Sequence, residues 1–301
     1  MIILMKAQEI QTCLERLGDP EKAQIHQRFF KTGPGEYGEG DVFLGIRVPE
    51  TRRLAREYQS LSLPETIKLL QSPLHESRQL ALFILVMAYG KGDAVLQEQI
   101  YHLYLENTRF INNWDLVDAS AEHIVGPWLR HRRKTPLHDL AASGLVWERR
   151  IAIMATFHYI KKGEFDPTLR IAERLLADEH DLIHKATGWM LREIGKRDLA
   201  VEESFLKAHY RQMPRTMLRY AIEKFPEDLR QQYLRGESAL VTSKKEGSSN
   251  NEKQRDPDFI NAEIAMKRAA QKARKRALQV GIGVMVYRDG RIIEEKPDLE
   301  E

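Results

Sequence analysis

Five stretches decide the fold of this chain: Arg78–Leu85 (RQLALFIL), Asn113–Ser120 (NWDLVDAS), Arg149–Thr156 (RRIAIMAT), His184–Leu191 (HKATGWML) and Arg219–Pro226 (RYAIEKFP). Their first residues step by 35, 36, 35 and 35 positions. A period in the thirties with two helices per unit predicts an α-solenoid, in which each unit stacks on its neighbours. An irregular helical bundle with chance spacing is the alternative. Around these stretches apolar residues recur at three- and four-residue spacing. Pro20, Pro49, Pro64, Pro73, Pro127, Pro136, Pro167, Pro214 and Pro226 sit where helices should begin or turn. Residues 1–235 therefore read as one all-α domain.

The repeat also predicts a surface. The second and sixth residues of each stretch lie four apart and share a helix face. They are Gln79/Phe83, Trp114/Asp118, Arg150/Met154, Lys185/Trp189 and Tyr220/Lys224. A purely buried strip would be Leu, Val and Ala, but this one is aromatic and charged. Tryptophan faces attract cations, Arg and Lys attract phosphates, and a carboxylate among them stabilises a developing positive charge. Such a groove suits an anionic polymer carrying a local cation, as alkylated DNA does.

Composition sets the outer limits. The 301 residues carry 47 Lys plus Arg against 44 Asp plus Glu, a formal charge of +3, which permits nucleic acid as a partner without requiring it. The one cysteine, Cys13, cannot form an internal disulfide, and on an amphipathic first helix it reads as a small core residue. The opening residues lack the features of a signal peptide, and the longest apolar run, Leu80 to Tyr89, is about half a membrane span. The expectation is a cytoplasmic, membrane-free protein, monomeric by default. Residues 236–258 are polar and read as a linker. Residues 259–301 read as a tail, with a basic helix over Phe259 to Gln279 and a hairpin turning at Asp289-Gly290.

Three segments carry a resemblance to a known family: Asn113-Trp114-Asp115-Leu116-Val117-Asp118, Trp147-Glu148-Arg149-Arg150-Ile151-Ala152-Ile153, and Lys185 through Glu193 (KATGWMLRE). With Phe29-Phe30-Lys31-Thr32 and Phe43 through Pro49 (FLGIRVP), they resemble AlkD-type DNA glycosylases over about residues 5–235. The resemblance implies a right-handed α-solenoid of HEAT-like repeats. It also implies hydrolysis of the N-glycosidic bond of cationic N3- or N7-alkylated purines in duplex DNA, without base flipping. Carried over by position, Trp114 and Trp189 match the aromatic pair flanking the damaged nucleotide. Asp118 matches the carboxylate beside the deoxyribose, and Arg150 matches the arginine on the DNA backbone. Phe29 falls where some relatives carry a tyrosine, so a phenolic contact is missing there.

The expected catalytic set is thus Asp118, Trp114 and Trp189. The expected DNA contacts are Arg150, its neighbour Arg149, Lys185, Tyr220, Phe29, and Arg132 and Arg133 of the run Arg130–Lys134; Arg211, Arg215 and Arg219 could form a second basic ridge. One carboxylate suffices because an N3- or N7-alkylated base leaves as a neutral molecule and needs no general acid. Such a chain would be a monofunctional hydrolase of base excision repair, nucleoid-associated when bound to DNA. The competing reading is a non-catalytic solenoid that binds DNA or a protein through the same groove.

Other signals are weak. The loop Gly33 to Gly40 lacks the Lys-Ser/Thr of a phosphate loop, and its glutamates would repel phosphate. His180 and His184 are four apart but no zincin glutamate lies between them, so no metal or cofactor is implied. Trp128 and Trp147 fall off the strip and read as structural.

Overall fold

In the computed structural model the described residues are 6–237, together with the backbone of two short strands, Val284–Arg288 and Arg291–Glu295, which pair antiparallel. The expected linker, the basic helix and the Asp289-Gly290 turn lie outside the described residues. The chain divides into two compact units, Met1–Thr242 and Ser243–Glu301, and the first carries the features that follow.

Its helices are α1 (Ala7–Leu17), α2 (Pro20–Phe29), α3 (Val48–Glu57), α4 (Leu63–Leu70), α5 (His75–Lys91), α6 (Ala94–Glu106), α7 (Trp114–Asp118) and α8 (Ala121–Leu129). They continue as α9 (Thr135–Ala141), α10 (Val146–Ala155), α11 (Phe157–Ile160), α12 (Asp166–Arg174), α13 (Asp181–Gly195), α14 (Leu199–His209), α15 (Arg215–Ala221) and α16 (Glu227–Arg235). Prolines open many of them. Pro20, Pro49, Pro64, Pro136 and Pro167 occupy first-turn positions, where a missing N–H costs nothing. Among the described residues Pro127 alone sits inside a helix, near the end of α8.

The periodic stretches fall on α5, α7, α10, α13 and α15, and these pack consecutively: α5 on α7, α7 on α10, α10 on α13, α13 on α15. A second row backs the first, with α4 on α5, α9 on α10, and α12 and α14 on α13. This nearest-neighbour stacking is an all-α solenoid. Its core is continuous, with Leu80, Leu116, Ile151, Ile153, Met190 and Met217 each fully or almost fully buried. Truncating any of the leucines to alanine should cost about 2–5 kcal/mol. The stacking is tight enough to dictate a glycine. A β-carbon on Gly188 would stand 2.3 Å from the Met217 carbonyl oxygen and 2.6 Å from the Tyr220 β-carbon. Only glycine lets α13 and α15 approach this closely, which brings Tyr220 toward Lys185.

Candidate functional site

The site is built on α7, one short helix. Asn113 caps it, its side-chain oxygen accepting from the Trp114 N–H at 2.8 Å. Over five residues α7 presents Trp114 and Asp118 on one face, four apart, while Asp115 turns toward α5.

Arg150 of α10 grips Asp118 with both arms of its fork, Nε to Oδ1 at 2.9 Å and Nη2 to Oδ2 at 2.8 Å. Its Nη1 donates to the Leu182 carbonyl at 2.6 Å. The guanidinium therefore ties α7, α10 and the start of α13 together. Three of its five N–H groups are engaged, and a carboxylate accepting two hydrogen bonds keeps further lone pairs free. The Asp118 side chain retains 17% of its surface against 6% for Arg150, so the acid is the more accessible partner. Burial raises the Asp118 carboxyl above its ordinary range; Arg150 opposes this, while Asp115 and Glu122 add to it. The result is a held but comparatively basic carboxylate, able to stabilise a cation or to accept a proton from water.

Trp114 ends an aromatic stack. It lies on Phe30 at 5.3 Å and 20°, Phe30 on Phe43 at 4.8 Å and 18°, and Phe43 on His75 at 4.2 Å and 21°. His75 bridges two acids, Nδ1 to Asp41 at 2.8 Å and Nε2 to Asp115 at 2.9 Å. Burial works against a charged ring here, but the two carboxylates outweigh it and push His75 up to about 9. Asp41 also accepts from Arg78 and, at 3.4 Å, from Asn113, the residue that caps α7. For Asp41 burial is likewise opposed and overcome, by His75 and Arg78, and its carboxyl falls below the usual range.

The other expected residues are placed as follows. Lys185 pairs with Asp181 at 2.7 Å, half-exposed, with Tyr220 and Tyr37 in its electrostatic reach. Trp189 sits tilted against Phe157 at 6.0 Å and donates its indole N–H to Glu193 at 3.2 Å. Phe29 is exposed, edge-on to Trp114 at 6.1 Å. Arg149 turns away from Asp118, bonding Asp178 at 2.6 Å and the Ser143 carbonyl at 2.9 Å. Arg132 lies over the Trp128 ring at 3.5 Å and donates to the Trp128 carbonyl, while Arg133 stands exposed. Arg130 pairs with Glu164, and Lys134 donates to the carbonyls of Leu129 and Arg130. Much of this basic run thus closes the C-terminal end of α8, where positive charge is favoured. Of the strip residues, Phe83 and Met154 are core, and Lys224 is exposed beside Glu223. His180 accepts from the Leu182 N–H and caps α13.

Two features escaped the sequence reading. Trp147, half-buried and packed against the core, also stands edge-on to Tyr37 at 6.2 Å, and Tyr37 in turn lies within polar reach of Trp114. Trp128, by contrast, is buried against Tyr101 at 5.4 Å, as its position off the strip implied. The His75–Asp41 cluster was also missed. Its one sequence signal was Asp115, which lies within the quoted motif but off the strip.

Comparison with known proteins gives a consistent result. A family model described as DNA alkylation repair enzyme matches residues 10–225. A solved structure from Enterococcus faecalis, described as a predicted DNA alkylation repair enzyme, is similar with a TM-score of 0.54 and 19% identity, covering 70% of this chain and 97% of that one. At that identity the likeness bears on the fold alone. No curated protein matches.

Proposed function

The chain belongs to the DNA alkylation repair enzyme family, and on that premise we propose that residues 1–235 form a monofunctional DNA glycosylase. It hydrolyses the N-glycosidic bond of N3- or N7-alkylated purines in duplex DNA, within base excision repair. The observation that supports this most directly is Asp118: an accessible carboxylate, raised by burial, fixed by Arg150 and standing one helical turn from Trp114.

The chemistry follows from the substrate's charge. As the bond between the sugar C1′ and N9 of the alkylated purine breaks, its electron pair goes to the cationic base, which departs neutral. The positive charge passes to the sugar as an oxocarbenium ion. Asp118 stabilises that ion and accepts the proton of the water that adds to C1′. The faces of Trp114 and Trp189 stabilise the charge while base and sugar share it. Lys185 and Tyr220 hold the strand by its phosphates, and the two unengaged N–H groups of Arg150 point to a further backbone contact. The reading has the base remain in the stack, the protein act as a cytoplasmic monomer associated with the nucleoid, and the repeats be HEAT-like. Among the described residues no helix is long and apolar enough to cross a membrane.

Incubating the intact chain with methylated duplex DNA and measuring free methylated purine by mass spectrometry tests this. Release of N3-methyladenine or N7-methylguanine is expected. Binding of the duplex with no release would move the chain to the non-catalytic solenoid reading.

A further inference from the structure

The glycine-rich loop Gly33–Gly40 has no part in the chemistry above, yet it is built with care and faces Trp114. Its two glutamates, both exposed, fold back on the loop itself. Glu36 accepts from the Gly33 N–H at 3.0 Å and Glu39 from the Gly35 N–H at 2.9 Å, so both carboxylates are committed to holding the loop's own backbone. Lys31 adopts a left-handed φ of 52°, which turns the chain so that its carbonyl accepts from the Gly38 N–H at 3.0 Å. Gly38 is pressed against the end of α2 and the start of α7. A β-carbon there would lie 2.5 Å from the Phe30 carbonyl oxygen and 3.5 Å from the Asn113 amide. Three residues on, Asp41 locks the loop into the His75 cluster.

This framework fixes one side chain, Tyr37, between those glycines. Its ring stands edge-on to Trp147. The Trp114 indole lies within polar reach of its hydroxyl, and an indole N–H is a donor only. The phenolic proton is therefore free to be donated, and among the described residues nothing accepts it. Burial raises the phenol above its ordinary range, so it stays protonated; Lys185 lies within electrostatic reach, as do Asp115 and Glu36. A neutral O–H within electrostatic reach of the Lys185 ammonium, which also pairs with Asp181, matches an acceptor-only anion.

We infer that Tyr37 is a further DNA-binding residue, donating its hydroxyl proton to a backbone phosphate that Lys185 also contacts, and supplying from the loop the phenol that Phe29 does not. This rests on the glycosylase reading and deepens it. The loop then serves as a rigid mount, and its contribution is to binding, with the chemical step left to Asp118.

The test uses the full chain and its Tyr37→Phe variant, which keeps the ring against Trp147 and removes only the hydroxyl. Turnover on methylated duplex DNA should show KM raised about tenfold, the size of one hydrogen bond to a charged group, with kcat within about threefold. The slope of log affinity against log salt should be unchanged in Tyr37→Phe, because no charge is lost, but reduced by about one in Lys185→Gln. A kcat that falls while KM holds would overturn the inference, since the phenol would then act by placing Trp114. Wild-type KM and kcat in Tyr37→Phe would overturn it too, and leave the glycosylase reading intact. An intact chain that neither binds nor cleaves methylated DNA would overturn both.

Discussion

Asp41, buried, and Asp118, part-buried, are both carboxylates facing cationic partners, and the protein treats them in opposite ways. Asp41 has three donors: His75, Arg78 and Asn113. Asp118 has one, the fork of Arg150. Burial pushes both upward, yet Asp41 ends below its ordinary range and Asp118 above it. Burial alone does not set the character of an acid; the balance of its donors against neighbouring carboxylates does, and Asp115 and Glu122 act against Asp118. An anion saturated with donors is inert and serves as a structural tie. An anion held by the minimum, with part of its surface open, remains basic enough to act. The two clusters meet at Asn113, which bonds Asp41 and caps the helix carrying Asp118, so the inert cluster aims the reactive one.

The largest expected effect breaks the inert side. Asp41→Asn leaves Arg78 and a charged His75 facing a neutral group in the interior, and should lower stability by about 3–5 kcal/mol in denaturant unfolding. The folded fraction should still release base. An Asp41→Asn protein as stable as the parent would show that the cluster is not a tie at all.

Next comes pH. His75 rises from 6.5 unfolded to about 9 folded, so its contribution is fully present below 6.5 and is lost as pH climbs through 9. Stability should fall by about 3 kcal/mol across that window. The fall should be absent in His75→Gln, with Tm against pH as the readout. At the acid end the sign reverses. Asp41 is lowered, so its contribution holds above its unfolded value of 3.8 and disappears as pH falls through its folded one.

A smaller effect sharpens the reactive side. Arg150→Lys keeps the charge but loses the fork. Base release should slow by about tenfold, and the acid limb of the pH–rate profile should move to higher pH, because the interaction that opposes burial at Asp118 is weakened. An acid limb that moved to lower pH would contradict this account of the carboxylate.

How much of this could be read from the sequence follows the range of the interactions. The solenoid was legible because its signal is local and repeated: Ala81, Leu116, Ala152, Thr187 and Ile222 hold the same place in successive stretches, and each is buried. Trp114 and Asp118 were legible as a pair because four residues along a helix fix a common face. Arg150 could be aligned by the period, but its neighbour Arg149 could not be told apart until Asp178 was seen to hold it. The loop and its cluster were not legible. Asp41 meets His75 across 34 positions and Asn113 across 72, with no periodicity to announce either. Tyr37 was hidden for the same reason: its value lies in Trp114 and Trp147, brought to it from two other repeats. The run Arg130–Lys134 has a structural role beside the expected one. Its charges read as a phosphate grip, and Arg132 and Lys134 also donate to the carbonyls that end α8.

The central claim is that Asp118 carries the chemistry, and it is tested most directly by single-turnover release of methylated purine from methylated duplex DNA by Asp118→Asn beside the intact chain, with duplex affinity measured on the same samples. The account predicts release slowed by about 100-fold or more, the cost of losing one preorganised electrostatic group, with affinity held within about threefold. Release that proceeds at the parental rate in the variant would contradict it.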